Sequence, residues 1–270
     1  MAKLKKHILF SDMDGTLISS QKAVSQRNIQ AIRRFTELGG RFAVASGRSE
    51  EIAAPFLTGI PLSLPAIVYN GAAVYDFASK TFLHRITLPE ELAAQILRAG
   101  MEAYPEVCAE SYNEDCQHLY NPGGLMDHYI TEENQPFRYT GLEECRDSFK
   151  LLFYGELEKL RRIEERLRHM PGIQKLHLTF SSSFYLEILP PRATKGDALE
   201  WVIQLLGLDR SEIAAIGDYH NDISMLETAS LGAAAGNALD EVKRSADLVV
   251  ADNDHDAVAD FIEHTLIEEA

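Results

Sequence analysis

The chain lacks the features that mark secreted, disulfide-linked or membrane proteins. It contains three cysteines, Cys108, Cys116 and Cys145, an odd number with no metal-type CxxC pair, so neither a disulfide framework nor a zinc site is expected. The N-terminal segment has neither the apolar core of a signal peptide nor a run long enough to span a membrane. We therefore expect a cytoplasmic protein with reduced thiols and no membrane partner.

Positive charge is also scarce, with 26 lysine and arginine residues against 41 aspartate and glutamate residues. The resulting formal net charge of −15 would repel nucleic acid unless the basic residues formed a separate face. The most basic stretch, residues 159–168, is interleaved with glutamates, as is typical of a solvated helix. We expect no nucleic-acid partner, and a chain that is a monomer or a weak homodimer.

The most informative stretch that is present is an apolar run, residues 8–10, followed closely by Asp12, Asp14 and Gly15. The run is typical of a buried parallel strand, so both aspartates would lie beyond its carboxyl end, where open α/β sheets bind ligands. Two carboxylates this close repel each other unless a cation or a shared proton lies between them, and Mg²⁺ is the natural hard cation. Taken alone, the same residues are also typical of a tight turn with Asp12 as a helix cap.

A second apolar strand, residues 41–45, ends on Ser46, Gly47 and Arg48 and is followed by a predicted helix. In that position a hydroxyl and backbone N–H groups can hold a phosphate oxygen. Ser-Gly-Arg is equally typical of an ordinary strand-to-helix turn. Arg48 is suited either to steering a substrate or to pairing with a carboxylate.

Two later segments add a lysine and more carboxylates. Lys195 opens a predicted helix, and because a cation there opposes the helix dipole, either solvent screens it or an anion lies beside it. The apolar strand 213–216 runs into Asp218, Asn221 and Asp222, just before another helix. This segment repeats the arrangement of the first motif.

The order of elements predicts two domains. Strands and helices alternate before residue 83 and after residue 190, which is typical of a parallel sheet with helices on its faces, whereas strands between those positions cluster in hairpins. We therefore predict a discontinuous α/β core domain at residues 1–82 and 191–270. Residues 83–190 are predicted to form an inserted α+β domain whose antiparallel sheet carries helices on one face.

The residues predicted at the strand ends supply the groups that phosphoryl transfer requires. That reaction needs an in-line nucleophile, charge neutralisation by a metal and a lysine, and donors to the equatorial oxygens. Asp12 can attack phosphorus to give an acyl phosphate. Asp14 can protonate the leaving oxygen and later deprotonate water.

Taken in order, these motifs resemble those of the haloacid dehalogenase-like (HAD) hydrolase superfamily, in particular its Cof-type sugar-phosphatase branch with a large α/β cap. The matching segments are Asp12-Met13-Asp14-Gly15-Thr16-Leu17, Ser46-Gly47-Arg48, Asn70-Gly71-Ala72, Lys195-Gly196, Gly217-Asp218 with Asn221-Asp222, and Gly236-Asn237-Ala238. The resemblance covers the whole core, whereas the inserted segment matches only in placement and element order. Tyr219 and His220 depart from the smaller or acidic residues usual in the family, and their role is left open.

The resemblance implies an α/β fold, a Rossmann-like parallel-sheet core with an inserted α+β cap of the C2B type. It implies Mg²⁺ held by Asp12, Asp218 and the backbone carbonyl of Asp14, with Asp222 supporting the metal, and phosphate held by Ser46, Gly47, Lys195 and Asn221. The implied activity is Mg²⁺-dependent hydrolysis of small phosphorylated metabolites, sugar phosphates in particular, through an aspartyl-phosphate on Asp12. A sugar phosphomutase using the same aspartate and a non-catalytic phospho-ligand sensor are the alternatives.

Overall fold

The computed structural model describes residues 3–132 and 135–268, and the chain divides into two compact units. Unit 1 consists of Met1–His84 and Thr194–Ala270, and unit 2 is Arg85–Ala193. The boundaries expected after residues 82 and 190 lie two and three residues before those of the units. The ends of the expected core, Met1, Ala2, Glu269 and Ala270, lie outside the described residues.

Strands and α-helices are numbered in chain order. The strands are β1 (Lys3–Leu4), β2 (Ile8–Ser11), β3 (Arg41–Val44), β4 (Ala66–Val68), β5 (Ala73–Asp76), β6 (Thr81–Arg85), β7 (Cys108–Tyr112), β8 (Gln117–Leu119), β9 (Phe137–Tyr139), β10 (Lys150–Tyr154), β11 (His177–Ser182), β12 (Tyr185–Leu189), β13 (Ile213–Gly217), β14 (Leu231–Ala234), β15 (Leu248–Val249) and β16 (Ile267–Glu268). The helices are α1 (Gln26–Glu37), α2 (Glu50–Ala53), α3 (Glu90–Ala103), α4 (His128–Thr131), α5 (Leu157–Arg168), α6 (Lys195–Leu206), α7 (Ile223–Thr228), α8 (Asp240–Ser245) and α9 (Ala257–Phe261). Short 3₁₀ or π turns cover Ala54–Leu57, Tyr69–Gly71, Leu142–Glu144, Ile173–Lys175, Arg210–Glu212, His220–Asp222, Asn253–His255 and Ile262–Leu266.

Unit 1 is built on a parallel sheet with the strand order β15-β14-β13-β2-β3. The central strands β2 and β13 are buried along their whole length, as expected for a parallel sheet covered on both faces. Leu199 and Val202 of α6 pack with Ile8 and Phe10 in one hydrophobic core. The predicted α/β core is therefore confirmed.

The strand order also determines where the candidate site lies. From β2, the chain continues into β3 on one side of the sheet, while the much later β13 pairs with β2 on the other side. The order of connection thus reverses at β2, and open α/β sheets bind ligands beyond the carboxyl ends of strands at such a point. The residues that follow β2, β3 and β13 are therefore brought to one edge of the sheet.

Unit 2 contains a mixed six-stranded sheet with the order β11-β12-β10-β7-β8-β9. Helices α3 and α5 contribute Ile96, Leu97, Leu160 and Ile163 to a hydrophobic core with Leu151 and other strand residues. The sheet is not wholly antiparallel as predicted, because β9 pairs in parallel with β8. The long connection between these two strands permits a parallel return, and β9 is short and exposed, so it lacks the alternating pattern of a half-buried strand. In the described part of the chain, no helix combines the length and apolar character needed to cross a membrane.

Candidate active site

A fully buried lysine lies between two buried aspartates in unit 1. The Nζ atom of Lys195 donates to Oδ1 of Asp12 at 2.6 Å and to Oδ1 of Asp222 at 2.6 Å. Lys195 is 0% exposed, although it occupies the first turn of α6. Of the two ways predicted to accommodate a cation at that end of a helix, the structure therefore uses neighbouring anions and not solvent.

Asp218 completes a group of three carboxylates. One carboxylate oxygen from each of Asp12, Asp218 and Asp222 lies within 4.8 Å of the others. Asp218 accepts a hydrogen bond from Oγ1 of Thr16 at 3.0 Å. The first motif approaches Asp218 so closely that a Cβ atom on Gly15 would lie 2.4 Å from its Oδ2 atom, and Gly15 also has a φ of +80°, so only glycine fits here. We call Asp12, Lys195, Asp218 and Asp222 the Lys195 cluster.

The Lys195 cluster buries more negative than positive charge. If all three carboxylates are ionised, one ammonium leaves a net charge of −2 (−3 + 1). Burial, with Asp222 adding to it and Lys195 opposing it, raises the pKa of Asp12 well above its usual range. Burial and Asp222 also raise the pKa of Asp218 to about 7. Although burial alone would lower the pKa of Lys195, Asp12 and Asp222 raise it above the ordinary value, so the lysine stays charged.

This donor set fits a hard divalent cation. Three carboxylates offer the oxygen ligands that such ions prefer, and a charge of +2 equals the negative excess of the ionised cluster. The side chain of Asp14 does not belong to the group of three.

Asp14 is instead held by Arg48, which follows β3. The guanidinium donates from Nε to Oδ2 of Asp14 at 2.7 Å and from Nη2 to Oδ1 at 2.8 Å. Burial alone would raise the pKa of Asp14, but the hydrogen bonds and charge of Arg48 lower it below its usual value. Of the two predicted uses of Arg48, the structure thus has it paired with a carboxylate.

The other residues predicted to bind phosphate are connected through Asn70. Oγ of Ser46 accepts from the backbone N–H of Arg48 at 3.1 Å, and the Ser46 carbonyl accepts from the N–H of Asn70 at 2.9 Å. Nδ2 of Asn221 donates to Oδ1 of Asn70 at 2.8 Å. A Cβ atom on Gly47 would lie 3.0 Å from the Asn70 amide. Ser46, Gly47 and Asn221 therefore lie together, whereas Lys195 belongs to the acidic cluster.

Residue-level reasoning from the sequence did not assign a role to two asparagines that the structure places in contact with the site. Asn70 joins Ser46 to Asn221, and Nδ2 of Asn237 donates to the carbonyl of Gly15 at 2.8 Å and to Oδ2 of Asp218 at 3.4 Å. Both follow the carboxyl end of a strand, β4 or β14, and that placement was the available signal. By contrast, the exposed His220 lies 3.3 Å from Glu241.

Comparison with known proteins supports the resemblance to the haloacid dehalogenase-like hydrolase superfamily. Residues 9–262 match the family model described as haloacid dehalogenase-like hydrolase. The chain is 29% identical to the pyridoxal phosphate phosphatase YbhA of Escherichia coli, covering 96% of this chain and 98% of that protein. It is 28% identical to the 5-amino-6-(5-phospho-D-ribitylamino)uracil phosphatase YwtE of Bacillus subtilis, covering 94% of this chain and 96% of that protein.

A solved structure shares both the fold and the length of the chain. The crystal structure of a haloacid dehalogenase-like hydrolase from Bacteroides thetaiotaomicron is 29% identical and superimposes with a TM-score of 0.84, covering 96% of this chain and 99% of that chain. The predicted superfamily and the predicted fold class are thus confirmed. With a matching family model over most of its length, and with three strand-end motifs and Lys195 assembled at one edge of a parallel sheet, this chain belongs to the haloacid dehalogenase-like hydrolase family.

Proposed function

We propose that this protein is a Mg²⁺-dependent phosphatase that hydrolyses small phosphorylated metabolites, sugar phosphates in particular, through an aspartyl-phosphate on Asp12. The observation that carries the proposal is the Lys195 cluster, which places a buried carboxylate beside an ammonium and two further carboxylates. Relatives that match along nearly their whole length are named phosphatases of pyridoxal phosphate and of a phosphoribitylamino-uracil.

The nucleophile in this proposal is the carboxylate of Asp12. It attacks phosphorus as the ester P–O bond breaks, and the departing oxygen takes a proton from Asp14. Because Arg48 lowers the pKa of Asp14 in the free protein, this step requires the negative charge of the bound phosphate to raise that pKa again. In the second step, Asp14 accepts a proton from water as the water oxygen attacks phosphorus. The bond from phosphorus to Asp12 then breaks, so inorganic phosphate leaves and both aspartates are regenerated.

The remaining predicted site residues bind the phosphoryl group and the metal. Lys195, Ser46, Gly47 and Asn221 would donate hydrogen bonds to phosphoryl oxygens. Asp12, Asp218 and Asp222, with the backbone carbonyl of Asp14, would hold Mg²⁺. When bound, the ion neutralises charge that would otherwise repel the phosphate dianion.

The proposal is tested first by removing the metal and by replacing the nucleophile. Chelation should abolish release of phosphate from a panel of sugar phosphates, nucleotides and pyridoxal 5′-phosphate, and Mg²⁺ should restore it. Asp12→Asn should eliminate turnover while leaving substrate binding nearly intact, because the carboxamide keeps the shape but is a poor nucleophile. The matched control is Asp240→Asn, which changes an exposed aspartate in α8 and should leave turnover unchanged. Full activity in excess chelator, or in Asp12→Asn, would refute the assignment.

Hydrolysis is distinguished from mutase chemistry by the fate of the acyl phosphate. In ¹⁸O-water, a phosphatase incorporates label into inorganic phosphate, because the water oxygen attacks phosphorus. An isomeric sugar phosphate formed without release of phosphate would identify a mutase instead. Substrate binding without either product would identify a phospho-ligand sensor.

We further propose that unit 2 is the inserted cap domain implied by the family resemblance, and that it selects among phosphate esters. Exchanging Arg85–Ala193 for the corresponding segment of a relative with a different preference should transfer that preference. Mg²⁺ dependence should be unchanged, because the Lys195 cluster belongs to unit 1. An exchange variant that folds and keeps the original preference would overturn this role for unit 2.

A further inference from the structure

Arg48 has an unusual environment for a charged side chain. Its side chain is 0% exposed, whereas the side chain of its partner Asp14 remains 39% exposed. The guanidinium carbon also lies 4.6 Å from the centroid of the Phe56 ring. The charged group is therefore enclosed by protein, while the carboxylate that it holds remains accessible to solvent.

The backbone of Arg48 is fixed as firmly as its side chain. Its N–H donates to Oγ of Ser46 at 3.1 Å, and its carbonyl accepts from the N–H of Tyr69 at 3.0 Å. The following residue, Ser49, caps α2 by accepting from the N–H of Ile52 at 3.2 Å. These bonds attach Arg48 to the end of β3 and to the start of the next helix, so the guanidinium is held by regular structure and not by a free loop.

The contact between Arg48 and Asp14 is a fork with two parallel bonds. One nitrogen of the guanidinium bonds to each carboxylate oxygen, at 2.7 and 2.8 Å. Such a pair fixes both the position and the plane of the carboxylate, which a single ammonium cannot do. We propose that Arg48 is the positioning residue for Asp14, setting the orientation in which Asp14 delivers and accepts protons; this role depends on the proposed phosphatase function.

If Arg48 orients Asp14, its loss should slow different steps for different phosphate esters. Esters with a poor leaving group need the proton from Asp14 in the first step, whereas an aryl phosphate does not, because its leaving group departs as a stable anion. Both kinds of ester need Asp14 to activate water in the second step. Loss of orientation should therefore slow the first step for an alkyl phosphate and the second step for an aryl phosphate.

The test compares Arg48→Lys and Arg48→Met with wild type on both kinds of ester. Arg48→Lys keeps the charge and loses the fork. We expect kcat for the alkyl phosphate to fall about 10²-fold, the loss typical of a misplaced catalytic group, with KM changed by less than about threefold. With the aryl phosphate, rapid-quench experiments should show a burst of the free phenol followed by a slow steady state.

The matched control is Arg33→Met, which removes another arginine of unit 1 whose guanidinium donates to the carbonyl of Gly59. This variant should have the kcat and KM of wild type, and its rapid-quench time course with the aryl phosphate should match that of wild type. Chemical rescue supplies a readout that a folding defect would not give. Guanidinium ion should restore part of the activity of Arg48→Ala, whereas methylammonium, which has no fork, should not.

Several results would overturn the role of Arg48. A raised KM with unchanged kcat would mean that Arg48 binds the substrate directly, and equal losses on both esters without a burst would mean a general structural role. A crystal structure of Arg48→Met tests the geometry regardless of activity: the Asp14 carboxylate should turn or occupy several orientations, and an unchanged Asp14 would refute the proposal. If wild type itself hydrolyses no phosphate ester, the phosphatase assignment fails, and this crystal structure still decides whether Arg48 orients Asp14.

Discussion

Both units bury carboxylates, but they compensate the negative charge in different ways. In unit 1, the Lys195 cluster places a charged ammonium 2.6 Å from two of its three aspartates. In unit 2, Glu110 and Asp127 are both 0% exposed, and the hydrogen-bond partners of Glu110 among the described residues are neutral groups. Those partners are the thiol of Cys108 at 2.8 Å, the hydroxyl of Tyr112 at 2.9 Å and the amide of Gln117 at 2.6 Å.

We call Glu110, Asp127, Tyr112 and Gln117 the Glu110 cluster. The Tyr112 hydroxyl and the Gln117 amide each also lie 3.4 Å from Oδ2 of Asp127, and the hydroxyl of Tyr185 donates to the other oxygen. Lys150 on the adjacent strand pairs with Glu187 and lies over the Tyr112 ring. Burial, with Asp127 adding to it, raises the pKa of Glu110 to about 8.

The two clusters stabilise their carboxyl groups by different means. A buried carboxylate can be stabilised by a cation or by a proton. The Lys195 cluster keeps its lysine charged and has oxygen ligands for a further cation, which suits the metal and phosphate binding that we propose for it. The Glu110 cluster offers neutral donors around a carboxyl group whose raised pKa favours the protonated form, which suits a polar network inside a sheet.

The first prediction removes the cation from the Lys195 cluster. Lys195→Met leaves three buried carboxylates without their ammonium, and breaking a buried pair from one side typically costs about 3–5 kcal/mol. The free energy of unfolding, measured by urea titration at pH 7 without Mg²⁺, should fall by that amount. Fluorescence of Trp201, the single tryptophan of the chain, reports on unit 1 in this experiment.

The matched control is Arg27→Met, whose exposed arginine pairs with Glu263 in the same unit as Lys195 and Trp201. Its free energy of unfolding should change by less than about 1 kcal/mol, as is usual for surface pairs. If Lys195→Met were as stable as this control, the lysine would not be what stabilises the buried aspartates.

The second prediction concerns the proton in the Glu110 cluster. The pKa of Glu110 is about 8 in the folded protein and about 4.3 in an unfolded chain, so the folded state binds the proton more tightly. The stabilisation is complete below the unfolded pKa and is lost as pH rises towards 8, with a slope of up to about 1.4 kcal/mol per pH unit. Glu110→Gln, which resembles the protonated acid, should remove this part of the pH dependence.

Unit 2 contains no tryptophan, so its unfolding between pH 5 and 8 is best followed by circular dichroism and tyrosine fluorescence. The matched control is Glu143→Gln, which alters an exposed glutamate of the same unit and should keep the wild-type pH dependence. A wild-type stability that does not fall between pH 5 and 8, relative to Glu110→Gln, would mean that Glu110 is ionised when folded.

The contrast between the clusters also explains what could be predicted from the sequence. Asp12, Lys195 and Asp218 each follow or open a strongly apolar element, and because the carboxyl ends of parallel strands meet at one edge, placing the strands places these residues. The bidentate contact of Arg48 with Asp14 depends on side-chain orientation, which no spacing encodes. The sequence therefore did not decide whether Arg48 steers a substrate or pairs with a carboxylate.

Unit 2 was less predictable, because its polar residues lie inside a sheet. Glu110 and Gln117 occupy strand positions whose side chains are fully buried, where an alternating pattern would place apolar residues. Asp127 reaches them from a loop that no local pattern connects to the sheet. The parallel strand β9 was missed for the same reason, since its pairing with β8 is decided by tertiary packing.

The third and smallest predicted effect comes from Asn237, which supports the Lys195 cluster through neutral hydrogen bonds. Its amide donates to the Gly15 carbonyl and to Asp218, and its carbonyl oxygen accepts from the N–H of Asn253 at 3.0 Å. Asn237→Ala should cost about 1 kcal/mol of stability, the usual value of such bonds, and should weaken Mg²⁺ binding about tenfold because Asp218 loses an orienting partner. Calorimetric titration of the metal measures this change in affinity directly.

Asn253→Ala is the matched control, since its side chain donates to the carbonyl of Ile18 and not to Asp218. This variant should lose similar stability but keep its Mg²⁺ affinity. Equal loss of affinity in both variants would mean that loop packing, and not the contact with Asp218, controls the metal site.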